Sequence, residues 1–226
     1  ILDYYKGKNA VIKTHSSIGG WDELPVKYLF RSFEEMPEIE QTALNMSYGN
    51  ILDLGCGAGS HSLYLQNQGF VVKPIDISKG AIEICKLRGL EQAEMLNFWD
   101  LKGQHFDTIL ALMNGTGLCG SLKNLPAFLA HLKSLLTPGG QILIDSSDII
   151  YMYEDENGKA DVSGVENYYG ETQFKSRYQG RTSESFPWLY IDFTKLQQQA
   201  IQLGLQCELI ENGPHYDYLC SLRIAS

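Results

Sequence analysis

The sequence has 226 residues, which is the length of one ordinary domain with room for a central sheet and its covering helices. Its formal net charge of -9 argues against a nucleic-acid partner, because neutralising phosphates requires a basic face. A small molecule or another protein is the expected substrate.

The cysteines indicate neither a metal site nor a disulfide framework. Their number is odd, and none stands in CxxC spacing or beside a histidine cluster. Reduced thiols are expected, as in a cytoplasmic protein. No membrane segment and no leader is expected, because no apolar run has the necessary length. The cysteines are Cys56, Cys85, Cys119, Cys207 and Cys220.

The beginning of the chain carries little pattern. Residues 1–20 show no clear periodicity and are predicted to be an arm that packs over the domain. An apolar cluster follows from Trp21, and residues 36–44 predict a helix with a proline near its start and acids in its first turn.

A strand, a glycine turn and a helix follow each other from residue 51. Residues 51–54 are apolar except for Asp53 and predict a strand, and helical apolar spacing begins after the turn. Glycine lets the backbone turn sharply and approach a ligand with no Cβ in the way. The turn therefore predicts a cofactor on the main chain, and its glycines are Gly55, Gly57 and Gly59.

A second acid is spaced as a nucleoside-binding residue would be. Residues 70–76 predict a strand that ends in Asp76, about 20 residues beyond the glycine turn. In a doubly wound sheet such an acid lies beside the turn, where it accepts hydrogen bonds from the ribose hydroxyls of an adenosine.

The glycine pattern distinguishes two cofactors. Ser60 stands where a dinucleotide fingerprint requires its third glycine. Asp53 would repel a pyrophosphate, whereas it would attract a cofactor that carries an ammonium and a sulfonium. The two residues indicate S-adenosylmethionine.

The turn resembles the first motif of the class I S-adenosylmethionine-dependent methyltransferases, in their small-molecule branch. That motif is Asp/Glu-x-Gly-x-Gly-x-Gly, and it is complete here as Asp53-Leu54-Gly55-Cys56-Gly57-Ala58-Gly59. The resemblance implies that Asp53, Gly55, Cys56, Gly57 and Gly59 contact the methionine part of the cofactor. It also implies that elements before the first strand form part of the substrate pocket, which makes Trp21, Tyr28 and Arg31 candidates; ordinary packing is the alternative for each.

The resemblance also implies the contacts of the nucleoside. Asp76 would bind the ribose, and Ile77 would lie on the adenine face. Asn97 and Phe98 align with the residues that contact the adenine amino group and ring, although the family commonly has an aspartate at the first position. Asp100 is therefore a competing candidate.

The next strand leads to the expected reaction centre. Residues 106–113 are almost continuously apolar, as in a buried parallel strand. Asn114 follows, at the end of the sheet where ligands bind, with turn capping as its alternative role. The Asn-Pro-Pro-Tyr motif of nucleobase methyltransferases is absent, because Gly115-Thr116-Gly117 follows the asparagine.

The following segments complete the strand-helix rhythm. Residues 125–136 predict a helix, residues 137–140 a turn, and residues 141–145 a strand. Repeated strand-helix units predict a doubly wound parallel sheet with helices on both faces. Near the C-terminus, a helix over 192–204 precedes two strands that a short turn makes antiparallel. The resembled family has this pair in a mostly parallel seven-stranded α/β sheet.

An insertion interrupts the rhythm and is predicted to be a hairpin on the substrate side. Its aromatic and basic residues are candidates to line a pocket for an aromatic or acidic molecule, and a small core with a solvated face of the insertion's own is the alternative. These residues are Tyr168, Tyr169, Tyr178, Phe186 and Trp188, with Arg177 and Arg181. A metal site of Asp145, Asp148 and Asn114 is a weaker alternative. The predicted single domain comprises the N-terminal elements 1–47, the cofactor-binding half 48–147, the insertion 148–190 and the final segment 191–226.

Three functions remain open at this point. The first is methyl transfer from S-adenosylmethionine to a small-molecule acceptor that the sequence does not identify, by a monomer or a homodimer. A regulator that binds S-adenosylmethionine without turnover and an NAD-dependent oxidoreductase are the alternatives. No general base is assigned, since His61 and His215 are the available histidines near predicted turns and are more often structural.

Overall fold

The computed structural model describes residues 1–225, which form two sheets and six α-helices. The helices are α1 (Leu2–Tyr5), α2 (Glu38–Met46), α3 (Ser60–Asn67), α4 (Lys79–Leu87), α5 (Leu125–Ser134) and α6 (Phe193–Gln202). The strands are β1 (Val11–Ser16), β2 (Gly20–Pro25), β3 (Asn50–Leu54), β4 (Val71–Asp76), β5 (Glu94–Met95), β6 (Phe106–Ala111), β7 (Leu136–Ser147), β8 (Glu171–Tyr178), β9 (Arg181–Thr182), β10 (Phe186–Leu189), β11 (Leu205–Asn212) and β12 (Asp217–Ile224).

The larger sheet confirms the predicted fold class. Its seven strands lie in the order β11-β12-β7-β6-β3-β4-β5. Neighbours from β7 to β5 are parallel, and β12 is antiparallel to both β7 and β11. This is the mostly parallel α/β sheet with one reversed strand near the C-terminus that the sequence predicts.

Helices cover both faces of this sheet because neighbouring residues of each buried strand point in opposite directions. Leu52 and Ile109 pack in a cluster that contains residues of α5 and α6. Ile51 and Leu110 pack in a second cluster with residues of α2 and α3. The continuous apolar runs of β3 and β6 therefore serve two cores, as expected of strands buried on both faces.

The strand order reverses between β3 and β6. β3 continues through α3 to β4 on one side, whereas β6 continues through α5 to β7 on the other. A crevice opens at the carboxyl ends of strands where connections diverge in this way. The glycine turn follows β3 and Asn114 follows β6, so both predicted site segments lie at this position.

The turn predicted over residues 137–140 is instead a bulge inside β7. Leu136 already pairs with Phe106, and the register then shifts so that Gln141 pairs with Thr108. The Pro138-Gly139-Gly140 segment is accommodated between these two pairs. The strand therefore begins before the proline and glycines that predicted a break.

The N-terminal arm is also different from the prediction, because it forms a β-hairpin. β1 pairs with β2 and with β8 of the insertion, and all pairings in this smaller sheet are antiparallel. Its order is β10-β8-β1-β2, with β9 on β8. The predicted hairpin of the insertion forms between β8 and β9, and the N-terminal segment completes the same sheet. No helix within residues 1–225 is both long and apolar enough to cross a membrane.

Trp188 of β10 connects the two sheets by packing on Gly117, in the 3₁₀ turn that follows β6. A Cβ added at Gly117 would lie 2.0 Å from Cε2 of the Trp188 indole, which leaves no room for any side chain. The Gly117→Ala variant should therefore lose about 1–3 kcal/mol of unfolding free energy, because overpacking displaces the ring. Thermal unfolding measures this as a melting temperature lower by several degrees, at about 2–4 °C per kcal/mol.

Gly164→Ala is the matched control for that prediction. A Cβ at Gly164 would meet no atom within 4 Å, and its φ is not in the left-handed region. Equal melting temperatures for the two variants would contradict the assigned packing role of Gly117.

Candidate functional site

A cavity of about 380 Å³ lies at the carboxyl ends of β3 and β6. The glycine turn forms its floor, and residues 112–115 after β6 form one wall. Arg31 and His61 form a polar corner. The smaller sheet covers the cavity from the opposite side, and its ring-bearing lining residues, here called the aromatic roof, are Phe174, Phe186, Trp188 and Tyr190.

The glycines of the turn have two different roles. All three have φ values in the left-handed region, between 56° and 78°. A Cβ on Gly57 would meet only the carbonyl oxygen of Gly55, at 3.9 Å, so this backbone is open to a ligand. A Cβ on Gly59 would lie 2.4 Å from Cδ1 of Leu90 and 2.9 Å from Sγ of Cys85, so close packing of the chain itself requires glycine there.

The two acids of the sequence motif hold the turn from both sides. The carboxylate of Asp53 is buried and accepts a hydrogen bond from Oγ of Ser62 at 2.6 Å. Burial raises the pKa of this carboxyl. Asp76 accepts from the amide of Gly57 at 3.0 Å and from the amide of Ser78 at 2.7 Å. The ends of β3 and β4 are thereby connected.

A buried ionic cluster of Arg31, Glu40 and His61 stands beside the floor. The Glu40 carboxylate on α2 accepts hydrogen bonds from the Arg31 guanidinium and interacts with Nε2 of His61 at 2.6 Å. Burial would raise the pKa of Glu40, but the hydrogen bonds and charges of His61 and Arg31 hold that pKa below its ordinary value. Glu40 is therefore the anion that holds both Arg31 and His61, which line the cavity.

The Arg31 side chain has one donor without a protein partner. One terminal nitrogen of its guanidinium donates to the carbonyl of Tyr28 at 2.7 Å, and the Tyr28 ring lies 4.1 Å from its central carbon. Nε of Arg31 is buried and makes no hydrogen bond to any described residue. Arg31 also lines the cavity, and a guanidinium in such a position is suited to an anionic ligand group.

The backbone after β6 is held in an unfavourable conformation. Met113 and Asn114 have φ values of 64° and 61°, in the left-handed region that non-glycine residues rarely adopt. The amide of Gly115 donates to the Asp145 carboxylate at 2.9 Å, and burial raises the pKa of Asp145 to about 6. The Asn114 side chain donates to the carbonyl of Leu189 and accepts from Ser146 Oγ. The wall and the aromatic roof are thus joined by hydrogen bonds.

The remaining predicted site residues lie outside the lining of this cavity. Ile77 is 74% exposed, and Asn97 caps a short turn by accepting from the Trp99 amide. Trp21 is 45% exposed on the smaller sheet, with the Arg177 guanidinium 4.2 Å from its ring. Tyr178 donates to Asp3 at the N-terminus, and Arg181 is exposed. The other residues in this group are Gly59, Asp76, Phe98 and Tyr28.

Some residues that form or support the cavity were not predicted. Thr14 and Leu24 come from the hairpin that the sequence was expected to leave as an arm. Glu40 was assigned only to the first turn of a helix, yet it lies on the buried face with Met36, Ile39 and Ala43. Its spacing from those apolar residues is helical and could have revealed its burial. Within residues 1–225, no group of three or more His, Cys, Asp or Glu side chains is arranged to hold a metal ion.

Comparison with solved structures gives a relative of almost the same length. A SAM-dependent methyltransferase from Bacteroides fragilis, solved in complex with S-adenosyl-L-homocysteine, is 45% identical and has a TM-score of 0.91. The similarity covers 99% of this chain and 92% of that chain. The CcbJ methyltransferase from Streptomyces caelestis has the same fold at 15% identity, with a TM-score of 0.61 over 84% of this chain and 91% of its own.

Curated relatives are more distant. A demethylmenaquinone methyltransferase from Leptospira interrogans is 28% identical over 60% of this chain and 56% of its own length. A ubiquinone biosynthesis O-methyltransferase from Xanthomonas euvesicatoria is 26% identical over 48% of this chain and 47% of its own length. The chain spans about half the length of these two relatives.

A family model extends over most of the chain and contains both the glycine turn and the wall after β6. The model is described as a methyltransferase domain, and it matches residues 27–183. The match, together with the glycine turn at the strand-order reversal and the similar structure from Bacteroides fragilis, confirms the resemblance noted in the sequence. The chain belongs to the methyltransferase domain family.

Proposed function

We propose that the chain binds S-adenosylmethionine over the glycine turn and transfers its methyl group to a small-molecule acceptor beneath the smaller sheet. The observation that carries this proposal is the continuity of one cavity from the glycine floor to the aromatic roof. A donor on the floor and an acceptor under the roof would share one enclosed space. The S-adenosyl-L-homocysteine bound to the Bacteroides fragilis relative is the product form of this cofactor and supports its choice.

The floor and the polar corner fit the methionine part of the cofactor. Gly55, Cys56 and Gly57 line the cavity, a Cβ on Gly57 would meet only a carbonyl oxygen at 3.9 Å, and Asp53 is the carboxylate among the lining residues. The cavity-lining guanidinium of Arg31 matches the cofactor's carboxylate, because charge-assisted hydrogen bonds are strong when buried. Arg31 is thereby assigned to the cofactor, although the sequence made it a candidate for the substrate.

The nucleoside part would lie outside the cavity, along the edge of the sheet. Asp76 remains the proposed ribose acceptor. The amides of Gly57 and Ser78 hold its carboxylate in place, and each oxygen keeps a further lone pair for a hydroxyl. Ile77 is exposed and would cover one face of the adenine. Asn97, Phe98 and Asn114 stay proposals for further cofactor contacts, with Gly59 supporting the turn from below.

The protein's contribution to the reaction is mainly positional. In methyl transfer a lone pair of the acceptor atom bonds to the activated methyl carbon while the carbon–sulfur bond breaks and its electrons pass to sulfur, which leaves S-adenosylhomocysteine. A proton that the acceptor atom carried is released to solvent. The wall after β6 and the roof restrict where an acceptor can lie, and holding two reactants in line removes much of the entropic barrier. The apolar lining also excludes water from the reacting atoms.

The curated relatives support a small-molecule acceptor. Their names assign them to the biosynthesis of ubiquinone and to demethylmenaquinone, both reactions of small molecules. Neither relative is close enough to assign its own substrate to this chain. An NAD-dependent reaction is disfavoured, because the lining residue Asp53 would repel a pyrophosphate and Ser60 replaces the third glycine of a dinucleotide fingerprint.

The Arg31→Lys variant tests the assignment of the methionine carboxylate. Lysine keeps a positive charge for Glu40 but lacks the second donor for a ligand. Wild-type protein should bind S-adenosylmethionine about 10–100-fold more tightly than its decarboxylated form, as a charged hydrogen bond contributes about 1.5–3 kcal/mol. In Arg31→Lys this preference should fall to about threefold or less, a loss of about 1 kcal/mol or more. Calorimetric titration of both ligands measures it.

Arg223→Lys serves as the control, because Arg223 of β12 donates to the Gln141 side chain of β7 and does not line the cavity. It should keep the wild-type preference. Equal binding of the two ligands by the wild-type protein would show that Arg31 does not recognise the carboxylate.

A further inference from the structure

The charges of the cavity lining are concentrated in one region. Among the lining residues, the side chains that carry a charge or a basic ring are Arg31, Asp53 and His61. Asp53 and His61 belong to the segment that runs from β3 into α3, and Arg31 is bound to the same Glu40 carboxylate as His61. All three therefore stand at the floor, where the methionine part of the cofactor is proposed to lie.

The other end of the cavity is aromatic. Phe174 has ring centroids of Trp188, Phe186 and Tyr190 at 6.2, 6.2 and 6.3 Å, and Phe186 also lies 6.2 Å from Trp188. The interplanar angles range from 25° to 76°, so the rings pack on one another in stacked, tilted and edge-to-face arrangements. Such a surface binds flat π systems by offset stacking and edge contacts.

The roof is fixed before any ligand binds. The Trp188 indole rests on Gly117, and its backbone pairs with Thr172 of β8. The carbonyl of Leu189 accepts hydrogen bonds from both Asn114 and Thr116. A pre-organised aromatic surface loses little conformational entropy when it receives a ligand.

The cations that the sequence offered to an acidic acceptor are elsewhere. The Arg177 guanidinium packs over Trp21, and its Nε donates to Thr182. Arg181 is exposed on β9. Neither lines the cavity. Of the two acceptor classes that the sequence left open, only the aromatic one matches the side chains that surround the cavity.

We infer that the acceptor is a flat, uncharged aromatic molecule that stacks against Phe174, Phe186 and Trp188, with Tyr190 at the border of the roof. This inference rests on the proposed function, because it assigns the second half of the same cavity. Trp188 and Phe186 determine acceptor specificity in this assignment. Both lie on β10 of the smaller sheet, whereas the glycine floor follows β3 of the larger sheet. An acceptor with a net charge would lose its hydration without gaining a partner.

The test uses three probes on the protein saturated with S-adenosylhomocysteine: 1-naphthol, decahydro-1-naphthol and 1-naphthoate. Calorimetric titration should show 1-naphthol bound about tenfold or more tightly than either other probe, because two or more ring contacts favour it. Trp188→Leu and Phe186→Leu should each weaken 1-naphthol about three- to tenfold. Their affinity for S-adenosylhomocysteine should remain that of the wild type.

Trp21→Leu is the matched control, as Trp21 is a tryptophan of the same smaller sheet that lies outside the lining. It should leave 1-naphthol binding unchanged. Phe186→Leu keeps the test decisive if Trp188→Leu fails to fold, since the Phe186 side chain is 39% exposed and bears less of the packing.

The outcomes separate the two proposals. Absence of S-adenosylhomocysteine binding overturns the proposed function. Normal S-adenosylhomocysteine binding with equal affinity for 1-naphthol and decahydro-1-naphthol overturns only the aromatic acceptor. Equal weakening of 1-naphthol binding by Trp21→Leu and Trp188→Leu also overturns only the aromatic acceptor. The effect would then come from destabilisation of the smaller sheet and not from a lost ring contact.

Discussion

The divergence of the connections after β3 and β6 is the constraint on which the site depends. These strands are parallel neighbours, yet their helices pack on opposite faces of the sheet. The crevice between them is therefore an obligatory opening in an otherwise close-packed domain. The glycine turn and the strained Met113-Asn114 backbone border it, and the smaller sheet covers it. If the strand order continued without reversal, there would be no crevice for these parts to line.

The buried carboxylate of Glu40 is the second feature on which the site depends, because it holds Arg31 and His61. It joins α2, the segment that carries Arg31 and the beginning of α3 through charged hydrogen bonds. A buried charge is tolerated only when it is paired, and removing one partner from such a cluster costs about 3–5 kcal/mol. Within the proposed function this arrangement has a use. It keeps an arginine rigid and partly unpartnered beside the methionine end of the cavity.

The sequence predicted the larger sheet well because its signals are local. Apolar runs, the spacing of Gly55, Gly57 and Gly59, and the acid at residue 76 all lie within single strand-helix units. The reversed strand followed from a short turn between two apolar runs. These features are decided by neighbouring residues, so a single chain reveals them without knowledge of its tertiary contacts.

The smaller sheet was not predictable in the same way. Thr14 pairs with Ser176, and no local pattern specifies partners that far apart. Residues 1–20 showed no clear periodicity, so neither the first hairpin nor its partner strand was predicted. Trp188 was recognised as a candidate for the pocket, whereas its seat on Gly117 depends on tertiary packing. Glu40 was missed because an acid in a first helical turn usually faces water.

The most direct test of the account is a calorimetric titration of the wild-type protein and Asp76→Ala with S-adenosylhomocysteine and with NAD. The wild type should bind S-adenosylhomocysteine and show no measurable binding of NAD. The variant should bind S-adenosylhomocysteine about tenfold or more weakly, because a carboxylate hydrogen-bonded to ligand hydroxyls is lost. A folded wild-type protein that binds NAD and not S-adenosylhomocysteine would contradict the account.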